Sequence, residues 1–76
     1  MSRFPRIAQD PLVMGGKPCI RGTRVTVGMI VESLACGRTI GEILADSPYV
    51  EEPDIQEALA LAAYLAQGRE VLLSDS

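Results

Sequence analysis

Hydrophobic and polar positions change period once along this chain. Up to residue 26 the apolar residues come in pairs, Ile7-Ala8, Cys19-Ile20 and Val25-Thr26, separated by Asp10-Pro11, Gly15-Gly16, Lys17-Pro18 and Arg21-Gly22. Proline and glycine at that density break any helix and favour short extended pieces joined by turns. Arg21-Gly22-Thr23-Arg24 is a four-residue connector containing glycine, so the spacing predicts a small hairpin between Cys19-Ile20 and Val25-Thr26, with Ile7-Ala8 as a third short strand. An isolated hairpin is marginal in water, so the segment must lean on the rest of the domain or on a second subunit.

From Thr26 onward the period is helical. Val27, Ile30, Val31 and Leu34 follow the i, i+3, i+4, i+7 spacing behind a Thr26 cap, and Gly37 sits where a left-handed terminator is wanted, which predicts a first helix over about 27–36. Thr39-Ile40-Gly41-Glu42 reads as a capping box opening a short second helix over about 40–46, closed ahead of Ser47-Pro48. The third helix starts near Glu52, with Pro53 tolerated in the first turn and Asp54 favourable to the helix dipole, and runs to about Gln67 before Gly68.

Ala58 to Ala66 is apolar on every face. Three helices cannot enclose one of their own members, so this run predicts a homodimer or a tight protein partner. The alternative is that the alanines face solvent as good helix formers and only Ile55, Leu59, Ala62 and Leu65 enter the core. The candidate protein-interface residues are Leu59, Leu61, Tyr64 and Leu65, with the aliphatic tail residues Val71, Leu72 and Leu73.

Seventy-six residues make one small domain. It divides into a basic strand-and-turn segment (1–26), a three-helix unit (27–67) and a tail (68–76), with little room for both a core and an enclosed substrate pocket. The chain has no histidine, which excludes histidine-dependent triads, and its two cysteines, Cys19 and Cys36, are too few and too far apart for a zinc site or a C-x-x-C redox motif. No cofactor, metal or small-molecule substrate is expected, and no enzymatic activity. The nine-residue apolar run is far short of the ~20 residues a membrane span needs. The expectation is a cytoplasmic protein with reduced thiols.

Charge refines this picture. The net value is −3, yet residues 1–24 hold Arg3, Arg6, Lys17, Arg21 and Arg24 against Asp10 alone, while residues 25–76 hold nine acidic residues against Arg38 and Arg69. The basic arm can face a phosphate backbone, an acidic partner, or its own acidic half. The carboxylates Glu51, Glu52, Asp54 and Glu57 read as a solvated helix start. Gly15-Gly16-Lys17-Pro18 reads as a structural turn, because a phosphate-binding loop needs a helix to follow its lysine, and here Pro18 removes an amide.

Taken together, Asp10-Pro11, the string from Gly15 to Arg24 (G-G-K-P-C-I-R-G-T-R), Leu34-Ala35-Cys36-Gly37, Glu42-Ile43-Leu44, Pro48 and Asp54-Ile55-Gln56-Glu57-Ala58-Leu59 closely resemble the bacterial domain of unknown function 433 family over about residues 5–66. The resemblance implies a mainly α fold, a homeodomain-like three-helix bundle of the helix-turn-helix kind preceded by short β-strands. It also implies a non-enzymatic antitoxin of a type II toxin–antitoxin pair, partnered with a PIN-like ribonuclease toxin and with its own promoter DNA. Because carboxylates at the start of the third helix would repel a polyanion, DNA contacts are expected from Arg3, Arg6, Lys17, Arg21 and Arg24 of a dimer. The alternative is a homodimeric protein-interaction module on the same scaffold without DNA binding.

Overall fold

The computed structural model describes residues 3–71 and residue 73. Two short strands, β1 (Ile7–Ala8) and β2 (Cys19–Ile20), lead into three helices, α1 (Val27–Ala35), α2 (Ile40–Asp46) and α3 (Glu52–Ala66). The protein is a small, mainly α fold with a two-stranded antiparallel sheet at its N-terminal end.

Local signals set the helix ends. The Thr26 hydroxyl accepts from the Met29 amide at 2.9 Å to open α1, and Gly37, at φ 91°, lets the chain turn away after it. At α2 the reciprocal box is complete: the Glu42 amide donates to Thr39 Oγ1 at 3.1 Å, and the Thr39 amide donates to Glu42 Oε1 at 2.8 Å. Those bonds hold the Glu42 carboxyl below its ordinary pKa. Arg38 bridges to Asp46 across the length of α2. The start of α3 is closed by Asp54, whose Oδ2 accepts the Glu51 amide at 2.8 Å.

β1 pairs antiparallel with β2, Ile7 opposite Ile20 and Ala8 opposite Cys19. The expected hairpin is present in reduced form: Cys19 bridges to Thr26, the Ile20 amide donates to the Val25 carbonyl at 2.9 Å, and the Thr23 hydroxyl ties the turn to the Ile20 carbonyl at 2.8 Å. β2 is therefore the middle ribbon, flanked by β1 and by residues 25–26. The Gly15-Gly16 stretch forms a single 3-10 turn over Met14–Gly16. The Gly16 and Lys17 amides donate to the carbonyls of Val13 and Met14, so they are not offered to an anion.

The core joins sheet and helices. Phe4, Ile7, Ile20, Val27, Ile30, Ile43, Val50, Ile55, Ala58 and Leu61 form one buried cluster, and α3 packs chiefly on α1. Each fully buried Ile or Leu contributes about 1.5–3 kcal/mol through apolar area removed from water. The third helix is covered on one face only, with Ile55, Ala58 and Leu61 at 0% exposure and Ala62 packed against the cluster, whereas Leu59 and Leu65 are 36% and 43% exposed. This corrects the expected core set of α3: with Ile55 its buried apolar residues are Ala58 and Leu61 rather than Leu59 and Leu65. An alternating Ala-Leu run has no amphipathic phase, so the phase comes from Asp54 and Ile55 at its start.

Leu61→Ala is expected to cost about 2–5 kcal/mol, enough to unfold much of a domain this small, while Leu59→Ala stays within about 0.5 kcal/mol. Urea denaturation of the two variants followed by circular dichroism checks this; equal losses would contradict the assigned helix face.

Candidate functional site

The five cations of the basic segment separate into three groups. Arg6 crosses to the start of α3. Its guanidinium donates to Asp54 Oδ1 at 3.1 Å and lies 3.5 Å from Glu51 Oε1, while its amide donates to the Glu57 carboxylate. The bond to Asp54, offset in part by desolvation, raises the Arg6 pKa further above its ordinary value, so the charge is permanent. Asp54 is only 6% exposed, so the expected solvated helix start is corrected at Asp54, while Glu51 and Glu52 are exposed. A carboxylate can be buried there because it is paired and hydrogen-bonded.

Arg21 is likewise committed to the fold. It donates through Nε to the Pro5 carbonyl at 3.0 Å and through Nη2 to the Ile7 carbonyl at 3.3 Å, while its amide donates to the Arg6 carbonyl at 2.8 Å. A fork of planar donors suits a turn whose carbonyls would otherwise lack partners. Lys17 and Arg24 are exposed and form no ion pair among the described residues. Arg3 takes a third course, its guanidinium carbon 4.7 Å from the Tyr64 ring centroid.

The candidate protein-interface residues also divide. Leu61 belongs to the core at 0% exposure and has no surface to offer. Tyr64 is half-buried, packing edge-on to Phe4 with ring centroids 5.8 Å apart. Val71 and Leu73 are half-buried against the cluster, and Leu72 lies outside the described residues. Leu59 and Leu65 are the exposed large apolar residues of α3. The residue the sequence reading passed over is Arg69, which also lies over Tyr64, 5.2 Å from its centroid. A single arginine in an acidic half carries no signal until the fold brings Arg3 to the same ring.

A surface cleft of about 330 Å³ is lined by Ala8, Asp10, Val13, Cys19, Ile20 and the Gly22–Arg24 turn. Its Cys19 thiol donates to the Lys17 carbonyl at 3.3 Å, and burial raises its pKa, which disfavours the nucleophilic thiolate. Among the described residues no group of three or more His, Cys, Asp or Glu side chains is placed to hold a metal ion. No helix among them is long and apolar enough to cross a membrane.

Residues 7–62 match the family described as protein of unknown function DUF433. No curated protein matches the sequence. The fold is similar to the crystal structure of a DUF433 member protein from Anabaena variabilis, with a TM-score of 0.79 and 28% identity, covering 84% of this chain and 63% of that one. The present chain thus spans less than two thirds of that protein's length.

Two outcomes follow from this geometry. Asp54→Ala removes both the partner of Arg6 and the cap of α3 and should cost about 1–2 kcal/mol, read as a lowered thermal midpoint; an unchanged midpoint would deny the pair a structural role. Iodoacetamide at mild alkaline pH should label exposed Cys36 in the folded protein and Cys19 only after unfolding, as read by mass spectrometry of the digested chain. Equal labelling of both would contradict the burial of Cys19.

Proposed function

The chain belongs to the DUF433 family, and on that premise we propose that it is a non-enzymatic cytoplasmic antitoxin that neutralises a PIN-like ribonuclease toxin by direct protein contact. The scaffold of this reading is a homeodomain-like helix-turn-helix made by α2, the connector of residues 47–51 and α3, acting as a homodimer. The observation that carries it is that the single chain leaves two large apolar side chains of α3 uncovered, Leu59 at 36% and Leu65 at 43% exposure. An exposed apolar side chain gains free energy when a second chain covers it.

Promoter binding is the second activity in this reading, and Arg6 and Arg21 cannot serve it without leaving Asp54 and the Pro5 and Ile7 carbonyls. Lys17 and Arg24 are left to carry any phosphate contact. That division of labour favours the alternative reading, an interaction module without DNA binding, more than the raw charge of the arm does.

Co-expression with a PIN-like protein encoded in the neighbouring frame tests the proposal. The expected result is a stable complex by size exclusion with light scattering and restored growth of toxin-expressing cells; no complex and no rescue would overturn it. For DNA, Lys17→Glu with Arg24→Glu should abolish binding to promoter fragments, and wild-type affinity should fall steeply with salt, by a log–log slope of about −0.9 per phosphate neutralised. Binding that ignores salt and both substitutions would contradict a phosphate-contacting role.

A further inference from the structure

Two guanidinium groups from opposite ends of the fold meet on one aromatic ring. Arg3 precedes β1 and Arg69 follows α3, yet their guanidinium carbons lie 4.7 and 5.2 Å from the Tyr64 centroid. Among the described residues neither forms an ion pair, although acidic residues outnumber basic ones in the chain as a whole. Every other arginine but Arg24 is engaged by a carboxylate or by carbonyls. Phe4 fixes the ring by an edge contact from the opposite end of the chain.

We infer that Arg3 and Arg69, stacked on Tyr64, form a clamp that receives a carboxylate side chain from an acidic, apolar-flanked segment of a partner protein. A guanidinium lying over an aromatic ring keeps its in-plane N–H groups free, and these match an oxoanion in a forked, bidentate geometry. Two like charges held at one ring repel until an anion offsets them, and contact with the ring restricts both side chains before binding. The surroundings select a protein rather than a nucleic acid. Leu65 is 43% exposed beside the ring's own helix turn, Val71 and Leu73 are half-buried, and the acidic start of α3 would repel a long polyanion lying along the helix.

The clamp deepens the protein-binding reading above and rests on it. The test uses the full chain, a short labelled peptide of leucine and glutamate residues, its twin with glutamine for glutamate, and a single-stranded oligothymidylate. Fluorescence anisotropy should show binding of the acidic peptide and not of its twin. Arg3→Gln combined with Arg69→Gln should weaken that binding by about tenfold or more, Arg3→Lys with Arg69→Lys should recover only part of it, and Lys17→Gln should leave it unchanged. Because the substituted side chains are exposed, the variants should keep the wild-type thermal midpoint.

Peptide binding that survives the double glutamine variant, or falls equally with Lys17→Gln, overturns the clamp. Oligothymidylate binding through the same two arginines overturns it in favour of a nucleic acid. A wild-type dimer that the double variant converts to monomer shows a second copy in the site and also overturns it. A toxin complex that forms equally well with the double variant defeats the clamp alone; acidic-peptide binding with no toxin complex defeats the antitoxin reading alone.

Discussion

The contact between Arg6 and Asp54 holds the two halves of this domain together. The N-terminal segment has only two-residue strands, which cannot persist in water by themselves. Arg6 ties that segment to the first turn of α3, and the same Asp54 carboxylate closes the turn by accepting the Glu51 amide. One buried acid therefore both terminates the connector before α3 and anchors Arg6, the residue before β1, 48 positions away. Behind it Ile7 and Ile20 enter the apolar cluster with Ile55 and Leu61, so the ionic contact and the core reinforce one another.

This arrangement changes what a basic arm means. Its net charge invites a nucleic-acid reading, but Arg6 neutralises the chain's own carboxylates and Arg21 braces the carbonyls of Pro5 and Ile7. What faces outward is smaller and divided: Lys17 and Arg24 around the turns, and Arg3 at the Tyr64 ring. The apolar surface is similarly reduced, because Leu61 fills the core and Leu59 and Leu65 face out. Protein contact and any DNA contact would thus draw on different residues of one small scaffold.

Much of the fold was legible from sequence because its boundaries are set locally. Thr26, the Thr39–Glu42 box, Pro53, Gly37 and Gly68 act within a few residues, and α2 and α3 begin where those signals place them. The less legible parts depend on distant partners. That Ile7-Ala8 pairs with Cys19-Ile20 is decided by the shared core, and that Asp54 is buried is decided by Arg6. The opposite charges of the two halves did make a fold-back one of the available readings, without showing which arginine performs it. The face of α3 was hidden by an alanine-leucine run that reads alike in every direction, and Arg69 was hidden by its isolation in sequence.

Native-state hydrogen exchange on Arg6→Gln tests the dependence of the structure on that cross-chain contact most directly. Exchange should become faster both at the Ile20 and Arg21 amides, which bind the Val25 and Arg6 carbonyls, and at the first turn of α3, with α2 unaffected. Wild-type protection at both sites in the variant would show that the sheet and α3 hold their places without Arg6, and would contradict that dependence.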